Sequence, residues 1–148
     1  MSVHIPTWLD IDLDAIAANW RRVAAETPHG RAAAVVKADG YGCGALKVGP
    51  ALYKAGARLF FTAHLSEAVA LRQILPQADV EIGVFNGLLP GEAETYAAER
   101  ILPVLNDLGQ IDAWAEYCGR VGAPLPACVQ INTGMRRLGL PPYEVEAL

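Results

Sequence analysis

Val80-Glu81-Ile82-Gly83-Val84-Phe85 is the stretch that decides the fold. Five of its six residues are apolar, with no polar residue at alternate positions. A strand with one wet face would alternate, so a near-continuous run reads as a strand buried on both faces, the mark of a parallel sheet. The same kind of run recurs at Ala32–Val36, Leu59–Thr62, Ile101–Leu105 and Ala127–Ile131. Successive runs start 21–27 residues apart, which is room for one strand, one helix and two short connections.

Helix patterns fill the gaps. Ser66 is placed to cap a helix over Glu67–Leu75, closed by Pro76. Pro90 suits the first turn of a helix reaching about Arg100. Asp107 suits the cap of the next, with Leu108, Ile111, Ala115 and Cys118 on one stripe and Gly119 as its stop. A further helix is expected over Ala45–Ala55, ended by Gly56. Trp8–Leu13 differs: it alternates, with Leu9, Ile11 and Leu13 on one side, and reads as a strand with a wet face. It feeds a helix from Ala15, capped by Asp14, with Ile16, Trp20 and Val23 facing inward. Repeated βα units allow two architectures, an open doubly wound sheet or a (β/α)8 barrel. A barrel takes about 250 residues, so in 148 residues it would be an incomplete one.

Composition narrows the function classes. Hydrophobic residues make up 53% of the chain, enough for a core and too many for a disordered chain. The net charge of −4 argues against a nucleic-acid partner. No apolar run is long enough for a membrane span, and Met1–Pro6 has neither the basic start nor the apolar stretch of a secretion signal. Cys43, Cys118 and Cys128 form no paired framework, which fits a reducing, cytoplasmic setting.

Two segments carry the residues of a site. In Val36-Lys37-Ala38-Asp39-Gly40-Tyr41-Gly42-Cys43-Gly44 a lysine ends a buried strand and a glycine-rich loop follows. A strand-end lysine often does no more than reach water. At the C-terminal edge of a parallel sheet, however, its amine can form a Schiff base with an aldehyde cofactor. Gly40-x-Gly42-x-x-Ala45 also meets a loose dinucleotide fingerprint, but no acidic residue ends the next strand to hold a ribose. In Gln130-Ile131-Asn132-Thr133-Gly134-Met135-Arg136-Arg137-Leu138-Gly139, a second strand ends in a polar turn whose arginines can bind an oxyanion. Other residues have plainer readings. Asp10-x-Asp12-x-Asp14 hints at a calcium loop, yet Ala15 and Arg21 occupy the positions that need glycine and glutamate. His4, His29 and His64 lack ligand spacing, so no metal site is expected. Trp20, Trp114 and Tyr96 fall on helix stripes and read as core or interface.

Taken together, three segments resemble the alanine racemase family. Val36–Gly42 is similar to its lysine motif, Asn132–Gly139 to its D-T-G-M-x-R-L-G motif, and Thr7–Ile16 to its opening strand. The resemblance runs the length of the chain and implies a fold-type III pyridoxal 5'-phosphate enzyme built on a partial TIM-type barrel, truncated after about five barrel strands. By that resemblance residues 1–13 form a strand that pairs with a second, β-rich domain absent here, and residues 14–148 form the incomplete cofactor-binding barrel. Lys37 would carry the cofactor as an internal aldimine and act as one of two bases. Tyr41 would hold the cofactor phosphate. Arg137 would lie near the cofactor and bind the substrate carboxylate. The implied reaction interconverts L- and D-alanine for cell-wall synthesis in a cytoplasmic homodimer, with the opposite-face base and most phosphate ligands beyond Leu148. Another amino-acid racemase of the same fold type, or an inactive cofactor-binding fragment, are the alternatives. The chain departs from the family pattern at Cys43, Gln130 and Asn132, and the last two bear on how Arg137 is oriented.

Overall fold

A computed structural model describes residues 8–27 and 29–146. Five parallel strands form one sheet: β1 (Ala34–Val35), β2 (Leu59–Thr62), β3 (Glu81–Val84), β4 (Ile101–Leu105) and β5 (Cys128–Val129). Their order in space is their order in sequence. All five fall inside the apolar runs read from the sequence.

That order resolves the choice between the two architectures. A doubly wound sheet reverses its strand order at a switch point and carries helices on both faces. Here the order never reverses, and crossovers of one hand then place every helix on the same face. This is a piece of barrel wall. Burial follows the pleat. Ala34, Val36, Phe60, Ile82, Val84, Ile101 and Leu105 point into one core with Val48, Leu52, Ala68, Leu71 and Tyr96 from the helix layer. Val35, Phe61, Gly83 and Leu102 pair in register along the opposite face, which becomes a barrel's interior.

The helices are α1 (Leu13–Ala25), α2 (Lys37–Tyr41), α3 (Ala45–Ala55), α4 (Leu65–Ile74), α5 (Ala93–Ala98), α6 (Leu108–Val121) and α7 (Pro142–Val145). Several boundaries differ from the sequence reading. α1 is capped by Asp12, whose side chain accepts from Ala15 N at 2.9 Å, so Asp14 lies inside the first turn. Leu13, Ile16 and Trp20 pack on the core, but Val23, one turn on, is 61% exposed. α4 begins at Leu65 rather than after Ser66, because Glu67 reaches back to His64 N at 3.0 Å and fixes His64 as the cap. Pro90 lies in a turn closed by Leu89 and Glu92 bonding each other, and α5 starts only at Ala93. It ends before Arg100, which is left-handed at φ 53°. α6 has the expected Asp107 cap but runs through Gly119 to stop at Gly122.

Trp8–Leu13 forms no ladder with the described strands. Residues 8–12 are unpaired and Leu13 is already helical. Trp8 and Leu9 are largely exposed. The other opening residues, with His4 and Thr7, lie outside the described residues, as does Leu148.

The N-terminal side of the sheet is held by a buried arginine. Arg72 of α4 is 5% exposed and donates only to backbone carbonyls: Leu75 O (3.1 Å), Val80 O (3.0 Å), Glu99 O (3.1 Å) and Arg100 O (2.9 Å). Leu75 and Glu99 are the C-terminal caps of α4 and α5. Two negative helix ends therefore take the place of a carboxylate counter-ion. Burial pushes the guanidinium below its usual range and the nearby Arg100 adds to this, with Glu99 opposing.

Candidate functional site

The C-terminal ends of the strands gather the polar residues, as parallel α/β sheets do. Lys37 stands two residues past β1, after Val36, whose ψ of 22° has left the strand conformation. Its amine lies on the interior side, near Phe85, which stacks on the Phe61 ring. Its amine accepts no ion pair and makes no hydrogen bond among the described residues. It lies 5.8 Å from the Phe85 ring centre and 6.0 Å from the Tyr41 ring centre. Phe85 in turn stacks on Phe61, centroids 4.8 Å apart and planes 9° from parallel. Gly83 makes that stack fit: a Cβ there would strike the Phe61 ring, 2.6 Å from Cδ1.

The backbone after Lys37 winds the wrong way. Ala38, Asp39, Gly40 and Tyr41 have φ of 51°, 52°, 64° and 55°. α2 is thus one left-handed turn, bonded by Gly40 N to Val36 O and Gly42 N to Ala38 O. Each non-glycine residue in it costs about 1–2 kcal/mol, and such strain persists only where surroundings over-determine it. Two carboxylates do so here. Asp39 Oδ1 accepts from Ala45 N at 2.8 Å, capping α3. Glu67 Oε1 accepts from Ala38 N at 2.7 Å while Oε2 accepts from Ala63 N (2.9 Å) and His64 N (3.0 Å). Burial raises the Glu67 carboxyl, but these three N–H donors outweigh it and hold the group below its usual range. Gly40 fits because a side chain there would crowd Ala45 N, 3.2 Å from the Cβ position.

Further along the edge, Asn86 Nδ2 lies 3.2 Å from His64 Nδ1. Asn106, buried at the end of β4, donates to Phe85 O (2.9 Å) and Val104 O (2.8 Å), tying β4 to the strand that carries Phe85. Its Oδ1 has no hydrogen-bond partner among the described residues.

Arg137 belongs to the other end of the sheet. It follows β5, four strands from β1, and is exposed. The structure therefore brings Lys37 and Tyr41 together and leaves Arg137 apart from both. The loop that carries it is ordered by its own bonds: Asn132 Oδ1 accepts from Gly134 N (3.0 Å) and Arg136 N (2.9 Å). Gln130 Nε2 donates to Leu138 O at 3.3 Å. Arg136, beside it, is exposed as well.

Sequence reasoning missed Glu67, the Phe61–Phe85 stack and Asn106. A signal for Glu67 existed: it stands three residues after His64, the spacing at which a glutamate reaches back to the N–H of a helix cap. Among the described residues no His, Cys, Asp and Glu cluster can hold a metal, and no helix is long and apolar enough to cross a membrane. Cys43, Cys118 and Cys128 are free thiols, and burial, with Glu81 nearby, pushes the Cys128 thiol up, away from the reactive thiolate.

Residues 11–148 match the family described as "Alanine racemase, N-terminal domain". An alanine racemase of Methylobacterium nodulans is 52% identical over 136 residues, 92% of this chain and 36% of that protein. One of Brucella ovis is 51% identical over 140 residues, covering 95% and 35%. Among solved structures, alanine racemase from Bartonella henselae with covalently bound pyridoxal phosphate superposes with a TM-score of 0.88 at 40% identity, covering 93% of this chain and 38% of that one. Histidine racemase from Leuconostoc mesenteroides gives 0.73 at 27% identity, covering 86% and 34%. The chain thus spans little more than a third of the proteins it matches.

Proposed function

The chain belongs to the alanine racemase N-terminal domain family, and from that premise we propose that it is the lysine-bearing part of a pyridoxal-phosphate-dependent racemase acting on alanine. The observation that carries the reading is Lys37: an amine with no ion-pair or hydrogen-bond partner among the described residues, just past the C-terminal end of a parallel strand, on a turn held left-handed at a cost. The residues fit the cofactor. The amine stands beside two aromatic faces that suit a planar ring. At Gly42 and Gly44 a Cβ would meet nothing within 4 Å, so the backbone is open to close approach.

When bound, pyridoxal phosphate supplies an aldehyde for an amine and an electron sink that makes the α-hydrogen of an attached amino acid acidic. Lys37 Nζ is the group to which the cofactor attaches, and it is also the base that moves a proton on its own face. The Tyr41 hydroxyl, on an exposed ring next to Lys37, binds phosphate. The Arg137 guanidinium binds the substrate carboxylate. For it to act with Lys37, the sheet must curl until the β5 loop faces the β1 end, which is what closing the barrel does. The opposite-face proton donor is assigned outside these 148 residues. The isolated chain is therefore expected to be inactive, and the complete enzyme a cytoplasmic homodimer supplying D-alanine.

The test is trapping. Incubation with pyridoxal phosphate, borohydride reduction and peptide mapping should place the label on Lys37, and a label elsewhere overturns the assignment. A second reading, a racemase for a different amino acid, draws on the likeness to histidine racemase. Racemisation by the complete natural polypeptide that carries this segment, assayed over a panel of L-amino acids, separates the two.

A further inference from the structure

The left-handed turn after Lys37 is anchored by a side chain from a different βα unit. Glu67 lies in the first turn of α4, where a glutamate needs only to reach the cap residue's N–H. It does so through Oε2, at His64 N and also at Ala63 N. Its other oxygen crosses to the end of β1 and takes the first N–H after the lysine, Ala38 N, in the shortest of the three bonds at 2.7 Å. That N–H belongs to the first residue of the left-handed run, φ 51°. Releasing it frees Ala38 to relax toward ordinary backbone, and the Lys37 side chain would turn with it.

We propose that Glu67 is the positioning residue for Lys37: its carboxylate holds the Ala38 amide, and through it the turn that aims the Lys37 amine between Tyr41 and Phe85. This rests on the reading of Lys37 as the cofactor lysine. A plain helix cap would stabilise α4 and leave the reactivity of Lys37 untouched, so the two roles separate by experiment.

Glu67→Gln makes the separation. Glutamine has one acceptor oxygen. With that oxygen kept on Ala63 and His64, its amide donors face the Ala38 N–H and the turn contact is lost while the cap survives. Arg72→Lys is the control, since Arg72 acts at the N-terminal end of the sheet, away from Lys37. Both are made in the complete natural polypeptide that carries this segment. The readouts are the rate at which pyridoxal phosphate links to the apoprotein, followed by its visible absorbance with the labelled peptide mapped, and the thermal midpoint of the apoprotein. The expected result is that E67Q slows linkage about tenfold or more, and that R72K lowers the midpoint with linkage unchanged. Linkage by E67Q at the wild-type rate overturns the inference. So does equal slowing by R72K at a matched midpoint shift. Should E67Q fail to fold, Glu67→Asp keeps the charge but is one methylene short of spanning both strand ends, and the same slowing is expected of it. If the wild-type label maps away from Lys37, the reading beneath the inference fails, and that outcome is distinct from a wild-type rate in E67Q.

Discussion

Replacing Arg72 by methionine tests whether helix ends can serve as the counter-ion of a buried guanidinium. Methionine has a similar reach and no donors. Of the four carbonyls Arg72 serves, Leu75 O and Val80 O bond it in the buried interior and Glu99 O and Arg100 O in partly buried settings. A buried acceptor left unpaired costs about 1–3 kcal/mol, so the two buried ones alone cost about 2–6 kcal/mol. Removing the guanidinium returns part of this, because a charge no longer has to be desolvated. The balance is a loss of about 3 kcal/mol. In a domain of this size that lowers the melting midpoint by about 6–12 °C. R72K keeps a charge and three donors in place of the fork, and should fall between the two. Urea denaturation at constant m-value is the assay. If R72M lies within about 0.5 kcal/mol of wild type, the carbonyls were not dependent on Arg72. If R72K is less stable than R72M, the charge was a burden and the counter-ion argument is wrong.

Three further outcomes follow from the site. Asp39→Ala removes the α3 cap and a carboxylate that braces the left-handed turn, and should cost about 1–2 kcal/mol; Asp39→Asn, which tolerates that backbone, should cost less, both by urea denaturation. Gly83→Ala drives a methyl into the Phe61 ring, unstacks it from Phe85 and should cost about 1–3 kcal/mol, with slower cofactor linkage at Lys37. Glu67 is held below its usual range in the fold, so its contribution is present at neutral pH and is lost as pH falls through the carboxylate range. The stability gap between wild type and E67Q should therefore close on acidification, measured by melting midpoints across pH.

The strands were legible because a parallel strand with one face under the helices and the other lining a barrel's interior writes itself as an unbroken apolar run. The place of Lys37 was legible for a related reason: a lysine directly after such a run must lie at the sheet's C-terminal edge, whereas Tyr41 was singled out only by the family resemblance. The left-handed turn was not. Only the glycines hint at positive φ, while Ala38, Asp39 and Tyr41 adopt it as well, and the brace on Ala38 comes from Glu67, 29 residues along the chain. Glu67 was hidden by Ser66, a better cap by residue preference but one residue inside the helix that forms. Trp8–Leu13 shows the limit of periodicity: alternation marks residues that fit a strand, but a ladder needs a partner, and no described strand supplies one.

Sequential strand order bears on how this chain leaves the ribosome. Each strand pairs with the one made just before it, so every ladder closes on polypeptide that has already emerged. The first-made edge then waits longest for cover, and a nascent sheet with a bare edge invites pairing between neighbouring chains. β1, the first-made edge, is only two residues long. A stray strand docking on it finds little to bond to, so the growing wall is protected on that side by brevity.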